Sequence, residues 1–244
     1  MIEGLYSAAA GMAAQQEQLD AIGDDLANVS STGYRSERVA FSDLLYNAVD
    51  IAGTETDTGA GAAARVIGRS QAQGSIQETG DPLNLAIEGE GYFQLKGPSG
   101  QLELTRDGNF GLDANGAIVG AESSQLVPPI NLPAGVSPAE VKIASDGTIT
   151  AGKRTLGQIK LVSVPSPDRM LAGAGGAFTP TAESGPVAAV SGARIHQGAL
   201  EASNVDMAKE MALMVSTQRA YQMSSSAIQT ESQMMSIANQ LRPA

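Results

Sequence analysis

Apolar residues recur at coiled-coil spacing at both ends of this 244-residue chain, and this periodicity constrains the fold more than any other feature. Near the N-terminus the apolar positions follow a heptad-like pattern that polar Gln15 interrupts. The apolar positions are Leu5, Ala8, Met12, Leu19, Ile22, Leu26 and Val29. Acids such as Glu17 and Asp24 occupy the opposite face. The pattern therefore predicts an amphipathic helix with one buried side.

The C-terminal segment, from Asn204 to Leu241, shows the same period in two neighbouring columns. The first column is Met214, Tyr221, Ile228 and Met235, and the second is Leu213, Ala220, Ala227, Met234 and Leu241. Ser203 or Asn204 is the predicted N-cap, and Asp206 suits the first turn. Because isolated helices gain most of their stability from packing, we predict that the two terminal helices pair antiparallel as a coiled-coil-like domain.

Between the two ends the pattern changes to short apolar runs bounded by turn residues. The predicted strands are Leu83–Ile87, Tyr92–Leu95, Leu102–Thr105, Ala117–Val119, Val141–Ala144 and Leu156–Val164. Asp107-Gly108, Asn115-Gly116 and Asp146-Gly147 are typical of hairpin turns. The stretches Gly53–Ala64 and Ala172–Gly176 are rich in small residues and predict flexible connections.

These patterns together predict an α+β fold, in which an antiparallel all-β domain is inserted between two paired terminal helices. We expect residues 1–40 to form the N-terminal helix and the turn after it. Residues 41–80 are expected to be an extended or flexible connecting segment, and residues 81–197 the β domain. Residues 198–244 are expected to form the C-terminal helix that completes the helical domain.

Charge and composition argue against several classes of protein. The formal net charge of -11 repels phosphate backbones and anionic lipid surfaces, which disfavours nucleic-acid and membrane partners. The chain has no Cys, and no stretch approaches the roughly 20 apolar residues that cross a bilayer. Its first residues do not resemble a classical signal peptide. A chain of this kind that leaves the cytoplasm is expected to need a dedicated exporter.

The residues that could support catalysis do not form a recognisable constellation. His196 is the only histidine, and it has neither a second imidazole nor a Cys to work with. Asp107 and Asp113 could serve a hydrolase, yet nothing in the sequence sets their separation. With Asn109 and Asn115 they do not meet EF-hand spacing, and two hairpin turns explain all four better. We therefore expect no enzyme activity, no cofactor and no metal.

Five segments resemble one protein family. Residues 26–35 are similar to the signature that ends the N-terminal helix of flagellar rod and hook proteins, although Asp25 replaces its leading Asn and the Thr-Gly spacing differs slightly. The other four segments resemble the same family in the same order along the chain. They are Leu85–Phe93, Thr105–Phe110, Gly198–Val205 and Gln218–Tyr221.

The resemblance implies a structural subunit of the flagellar basal-body rod, which self-assembles into a helical tube that transmits torque and surrounds the export channel. Implied partners are further copies, neighbouring rod and hook subunits, the surrounding bushing rings and the type III exporter. Gln218–Tyr221 and Ser123–Pro129 are more similar to distal-rod members. Proximal-rod and hook-type subunits remain alternatives. An extracellular β-domain binding module on a coiled-coil stalk is an alternative of a different class.

Two sets of residues carry these expectations. The proposed assembly and packing residues are Leu5, Met12, Leu19, Ile22, Leu26, Asn28, Gly33, Leu213, Met214, Tyr221, Ile228 and Met235. Phe41 and Leu45 match a Phe-xxx-apolar pattern that exported rod and hook proteins carry, and the alternative is local packing. Because the apolar stripes lack partners in an isolated chain, we expect termini that are partly disordered in the monomer and ordered on assembly.

Overall fold

The computed structural model of the chain describes residues 2–44, 46–51, 54–59, 61–133, 135–190 and 192–240. The side chains of residues 2, 3, 46–51, 54–59, 238 and 239 are not part of that description. The fold is mixed α+β, as the sequence predicts, and it divides into two units. The helical unit comprises Met1–Ala27, Glu37–Ile67 and Asp206–Ala244, and the β unit comprises Asn28–Ser36 and Gly68–Val205.

The helical unit contains both terminal helices, α1 (Ile2–Ala27) and α2 (Met207–Gln240). The N-cap of α2 is Asp206, whose Oδ1 accepts hydrogen bonds from Ala208 N at 3.0 Å and Lys209 N at 3.2 Å. The predicted caps are therefore wrong. The Ser203 hydroxyl instead accepts from Val205 N, and the Asn204 side chain binds backbone groups elsewhere in the β unit.

One of the two apolar columns of α2 is covered along its length, whereas the other is mostly exposed. Ala220 and Ser225 are partly buried. The other partly or fully buried positions follow alternating spacings of four and three residues, and they are Glu210, Met214, Thr217, Tyr221, Ser224, Ile228, Glu231 and Met235. We call this set the α2 seam. In the second column Leu213 and Met234 are exposed, and Leu241 lies outside the described residues. A lone α1 cannot cover both columns, so most of the second stays in solvent.

α1 and α2 contact each other within the helical unit. Near the start of α1, a Cβ on Gly4 would lie 3.4 Å from a Glu231 carboxylate oxygen. Near its end, burial first and then the negative charge of Asp25 raise the pKa of Glu210. Because the two sites are equally far apart on both helices, the helices lie antiparallel within this unit. The predicted coiled-coil geometry of the pair remains a prediction.

Strands occupy the segment in which we expected an extended or flexible connection. Their bounds are β1 Glu37–Asp43, β2 Tyr46–Ile51, β3 Thr54–Gly59, β4 Ala62–Arg69 and β5 Ile76–Glu78. β2 and β3 form an antiparallel hairpin, and β1 pairs with β4. Gly61, at φ +102°, brings the chain against α1, where a Cβ would lie 2.9 Å from the Ala10 methyl carbon. The predicted domain limits themselves remain predictions.

The β unit contains the remaining described strands, which are short and pair with their neighbours in antiparallel fashion. Their bounds are β6 Leu85–Glu88, β7 Tyr92–Lys96, β8 Leu102–Thr105, β9 Gly111–Leu112, β10 Ile118–Val119, β11 Gln125–Leu126, β12 Val141–Ile143, β13 Thr148–Ala151, β14 Arg154–Gln158, β15 Leu161–Ser163, β16 Leu171–Ala172, β17 Ala177–Thr179, β18 Ala188–Ala189, β19 Arg194–Gln197 and β20 Ala199–Glu201. The prediction of an antiparallel β region between the helices is confirmed.

Among the described residues, the largest sheet has the order β16-β17-β8-β7-β11-β10-β9, and β15 adds to β7 and pairs with β18. β12, β13 and β14 form a separate meander, while β6 pairs with β19 and β5 with β20. The run predicted as one strand over Leu156–Val164 is divided between β14 and β15. The division occurs where Ile159 N donates to Gly147 O.

Aliphatic side chains build the main core of the β unit, as the low aromatic content requires. Fully buried examples are Leu85, Ile87, Leu126 and Ile149. Two aromatic pairs in this unit pack edge to face, with ring centroids 5.1 Å apart for Phe93 and Phe110 and 6.2 Å apart for Tyr92 and Phe178. No helix among the described residues has the length and apolar character needed to span a bilayer.

Two of the three predicted hairpin turns are present. Asn115-Gly116 joins β9 to β10, and Asp146-Gly147 joins β12 to β13. Asp107-Gly108 is not a hairpin turn, because β8 and β9 on either side of it do not pair with each other. Here the chain turns against β6 instead: Leu85 N donates to Gly108 O, and a Cβ on Gly108 would lie 1.6 Å from Leu85 O.

Candidate functional site

Glu201, at the end of β20, is the centre of a buried group of charged side chains in the β unit. It is 1% exposed, and its Oε1 lies 2.9 Å from Arg35 Nη2 while its Oε2 lies 3.0 Å from Arg106 Nη1. Its backbone oxygen accepts a hydrogen bond from Gly33 N at 2.8 Å. We call Arg35, Arg106 and Glu201 the Glu201 junction. It joins three of the segments that resemble rod and hook proteins.

The connecting chain before β5 supplies a further hydrogen bond to the Glu201 carboxylate. Gly74 N donates to Glu201 Oε1 at 3.0 Å, so both carboxylate oxygens are engaged by charged or backbone donors. A Cβ on Gly74 would lie 1.9 Å from Ala202 O, which explains why glycine occupies this position. Arg35 Nη1 donates to Ala72 O. The backbone of residues 72–74 is therefore fixed to the junction.

A fourth segment, residues 85–93, contacts Arg106. Arg106 Nη2 donates to Gly89 O at 2.7 Å, and its guanidinium carbon lies 5.5 Å from the centroid of the Tyr92 ring. The Tyr92 hydroxyl donates to Gln71 Oε1 at 3.0 Å. Burial raises the pKa of Tyr92, so its phenol is neutral at ordinary pH.

Burial has an electrostatic cost that the junction offsets through its geometry. Burial is the main cause that lowers the pKa of Arg35, while the charge of Glu201 acts in the opposite direction and the charge of Arg106 adds to the lowering. A buried ion pair of this kind contributes little net stability relative to apolar packing, yet removing one partner is costly. The junction therefore suits a role in fixing how distant segments of the chain are placed relative to one another.

Only glycine fits at position 33 without strain. Its φ is +66°, and a Cβ would lie 2.5 Å from both Arg106 C and Asp107 N, which are backbone atoms that cannot move aside cheaply. Beside it, the Thr32 hydroxyl donates to Asp107 Oδ1 at 2.6 Å. The residues of the signature turn thus lie directly on the backbone of residues 106–107.

Asn28 closes the start of the same turn. Its backbone oxygen accepts from Ser31 N at 3.1 Å, and its side-chain Oδ1 accepts from the Ser31 hydroxyl at 3.1 Å. Asp25, which replaces the leading Asn of the signature, is buried and accepts hydrogen bonds from Glu37 N at 2.9 and 3.3 Å. A carboxylate therefore supplies the acceptor there. The assembly role predicted for Asn28 and Gly33 remains a prediction.

The other sequence-predicted residues lie in the helical unit. On α1, Ile22 is buried, and Leu5, Met12, Leu19 and Leu26 are partly buried. On α2, Met214, Tyr221, Ile228 and Met235 belong to the α2 seam, whereas Leu213 lies in the exposed column. Phe41 is 55% exposed on β1, and Leu45 lies outside the described residues. Their functions in assembly and export remain predictions.

The acids that could have suggested catalysis act as acceptors in turns. Asp113 accepts from Ala117 N at 2.7 Å and Asn115 N at 2.8 Å, and the Ala117 bond is the main cause that lowers its pKa. His196 Nε2 lies 2.7 Å from Glu88 Oε2 in an exposed pair, and this hydrogen bond lowers the pKa of Glu88. Over the part of the chain that the structure describes, no cluster of three or more His, Cys, Asp or Glu residues could hold a metal.

Sequence reasoning did not select the three junction residues, although each lies in a segment that it did select. The sequence does offer one signal for these residues. Each is a charged residue, two positive and one negative, in a segment otherwise rich in small and turn-forming residues. Neither their burial nor their mutual contact follows from spacing, because positions 35, 106 and 201 are far apart in the chain.

Three protein-family models match this chain. The model described as "Flagella basal body rod protein" matches residues 5–35, and "Flagellar hook protein FlgE/F/G D1 domain" matches residues 86–151. "Flagellar basal body rod FlgEFG protein C-terminal" matches residues 196–241. Arg35, Arg106 and Glu201 each belong to a different one of these three regions, so the Glu201 junction is the point at which all three meet.

Relatives match over nearly the full length. The flagellar basal-body rod protein FlgG of Borreliella burgdorferi is 35% identical, with 99% of this chain and 99% of the relative covered. FlgG of Buchnera aphidicola subsp. Acyrthosiphon pisum is 32% identical, with 99% and 100% covered. FlgG of Caulobacter vibrioides is also 32% identical, with 99% and 100% covered. The similarity therefore spans both units.

Proposed function

This chain belongs to the family of flagellar basal-body rod proteins and is a structural subunit of the rod, and we propose that it self-assembles into a helical tube whose wall its terminal helices build. The family is structural, and its members assemble with other rod and hook subunits. In our proposal α1 and α2 form an antiparallel coiled coil through the α2 seam. The tube surrounds the export channel and transmits torque.

The observation that carries this proposal is the apolar surface that α2 leaves in solvent. Its exposed large side chains are Met207, Met211, Leu213, Val215, Met223, Met234 and Ile237. Burying such surface contributes about 25 cal/mol per Å², so neighbouring copies that cover it would stabilise one another. Head-to-tail contacts that do not close into a ring generate open helical filaments.

A distal position in the rod is the favoured one. It is supported by the relatives above, which are FlgG proteins, and by the similarity of Gln218–Tyr221 and Ser123–Pro129 to distal-rod members. The further partners in this proposal are the hook, the adjoining rod subunits and the surrounding bushing rings. A proximal-rod or hook-type position is the alternative within the family.

Negative-stain microscopy of concentrated protein tests self-assembly, and Met223→Asp is the sharpest variant. Met223 is 68% exposed, so the charge costs the monomer little, within about 0.5 kcal/mol. In a tube, the same charge would be buried against a neighbour and would block polymerisation. We expect wild-type filaments, none from Met223→Asp, and an unchanged monomer helix signal in circular dichroism.

The matched control is Gln222→Asp, which adds the same charge at the adjacent exposed polar position. It should polymerise nearly as well as wild type. Discrete oligomers of the wild-type chain would favour a binding module on a stalk instead. Filaments from Met223→Asp as abundant as those from Gln222→Asp would show that this face is not an assembly surface.

Export by the flagellar type III apparatus is the second part of the proposal. Phe41 and Leu45 are the two defining positions of the proposed export pattern. Phe41 is exposed on β1, so its ring has no large packing role in the described part of the subunit. We expect Phe41→Ala to lower the exported fraction severalfold and to leave the protein in the cytoplasm with a folded β unit. Cell fractionation and immunoblotting measure this.

Val66→Ala is the control for that experiment, since Val66 is an exposed apolar residue on β4, which pairs with β1. It should be exported like wild type. Undiminished secretion of Phe41→Ala with defective polymerisation would identify Phe41 as a packing residue of the assembled rod rather than an export signal.

A further inference from the structure

The exposed apolar surface of α2 is rich in thioether sulfur. Four of its seven large exposed side chains are methionines, with exposed fractions of 47% for Met207, 51% for Met211, 68% for Met223 and 53% for Met234. The other methionines that the structure describes are partly buried, and they are Met12, Met170, Met214 and Met235. Among the described residues, exposed thioethers are therefore confined to this one helix.

Two of these thioethers lie on one side of α2. Met234 follows Met223 by about three helical turns, at about 3.6 residues per turn, so the two side chains point in similar directions. Both are more than half exposed, and neither belongs to the α2 seam. In the tube proposed above, a neighbouring copy covers this side. Their sulfur atoms are then open to solvent before assembly and covered after it.

The composition leaves methionine as the main oxidisable side chain. The chain has nine Met, no Cys and no Trp, so a peroxide meets no competing thiol or indole. The most accessible thioethers react first. In this reaction the sulfur attacks one peroxide oxygen, the O–O bond breaks and an S=O bond forms. The proton of the transferred hydroxyl passes to the departing hydroxide, which leaves as water, and sulfur gives up two electrons to the peroxide.

We propose that the exposed methionines of α2 are a reversible oxidation site that controls assembly, in which their sulfoxides block the addition of a subunit and assembly shields the thioethers. A thioether is apolar and adaptable, which suits a surface that packs against another copy. A sulfoxide is polar, so burying it between copies without a hydrogen-bond partner is unfavourable, whereas the monomer keeps it in water. This inference rests on the proposed function, because it concerns the same surface of α2.

Hydrogen peroxide applied to the full-length chain tests the site, with oxidation at each methionine followed by peptide mass spectrometry. In dilute monomer we expect Met223 and Met234 to oxidise severalfold faster than Met170, which packs against a hydrophobic cluster of the β unit. In filaments we expect Met223 and Met234 to react severalfold more slowly than in monomer, and Met170 at an unchanged rate. Equal rates for Met223 in monomer and filaments would overturn the shielding.

The second arm measures the critical concentration for filament formation before and after peroxide treatment. We expect oxidation to raise it about tenfold, since a polar group is then buried without a partner. Both methionine sulfoxide reductases, with dithiothreitol as the electron donor, should restore the untreated value, because the two enzymes act on opposite sulfoxide epimers.

Leucine variants identify the methionines responsible, because Leu keeps a similar volume and apolar character and does not form a sulfoxide. We expect the fourfold variant to assemble like wild type and to lose the response to peroxide. Its changes are Met207→Leu, Met211→Leu, Met223→Leu and Met234→Leu. Met170→Leu is the matched control, which should respond like wild type. The double variant Met223→Leu/Met234→Leu should respond severalfold less, and it gives the same comparison if the fourfold variant assembles poorly.

The possible failures are distinguishable. Oxidised wild type that assembles at the untreated critical concentration would overturn the oxidation site and leave the proposed function intact. An undiminished response in the leucine variants would also overturn it, because the effect would then come from another residue. Untreated wild type that forms no filaments would contradict the proposed function and this control of assembly together.

Discussion

Replacing Glu201 by Ala is expected to lower the free energy of unfolding of the β unit by about 3–5 kcal/mol, because the change leaves two arginines buried without their carboxylate. Arg35 and Arg106 are 2% and 5% exposed, so water cannot easily replace Glu201 as their partner. Gly74 N loses its acceptor as well. Urea unfolding followed by tyrosine fluorescence and near-UV circular dichroism measures the effect.

The chain provides a matched control for this experiment in Glu183→Ala. Glu183 also pairs with an arginine, at 3.3 Å from Arg169, but the two side chains are 75% and 65% exposed. An exposed pair of this kind contributes about 0–1 kcal/mol, so its loss should hardly shift the urea midpoint. Equal midpoints for Glu201→Ala and wild type would show that the junction adjusts to the lost acid, and that it does not specify the arrangement of the three segments.

Features with short-range causes could be predicted from the sequence. The terminal helices follow from a period near 3.5 residues, and β8 was predicted to the residue because apolar alternation and turn residues bound it. Asn115-Gly116 forms its hairpin because Gly116 adopts a φ of +78°. Asp107-Gly108 has the same chemistry, yet it fails as a hairpin because contacts with Leu85 and Thr32, both distant in sequence, determine its course.

The remaining features depend on long-range partners that the sequence does not identify. Two apolar columns on α2 are equally good seams by periodicity, and only the position of α1 shows that the Met214 column is covered. Asp206 competes successfully with Ser203 and Asn204 for the cap because Asn204 is committed to Ser36 N and Ala72 O. The sequence also could not predict that Arg35 and Arg106 are buried partners of Glu201, because charged residues are expected at the surface.

In our proposal the junction acts within one subunit, and the exposed α2 column acts between subunits. The junction fixes the signature turn on the β unit inside one chain, through Gly33, Arg35 and Glu201. The exposed column is left for neighbouring chains. An intramolecular and an intermolecular defect should therefore be separable, since a seam residue and an exposed residue lie only a few positions apart on α2.

Ile228→Asp is expected to abolish filament formation by disrupting the pair of helices rather than the surface between copies. Ile228 lies in the α2 seam, so the charge would be placed between α1 and α2 at a cost of about 2–4 kcal/mol. In dilute wild-type monomer we expect weak amide protection around Leu19 and Val215, which rises when filaments form. Ile228→Asp should prevent that rise and lower the helix signal, while amides of the β core keep their protection.

Met223→Asp provides the comparison that locates the defect, because it adds the same charge to α2 on the exposed side. Met223→Asp should block filament formation and keep the monomer helix signal. Ile228→Asp should block filament formation and also lower the monomer helix signal. Hydrogen exchange and circular dichroism distinguish the two in vitro, and motility with rod length measures the consequence in cells. Strong protection around Leu19 in dilute monomer would contradict the idea that assembly orders the helices. Normal motility and rod length with Ile228→Asp would refute the pairing of α1 and α2 through this seam in the assembled rod.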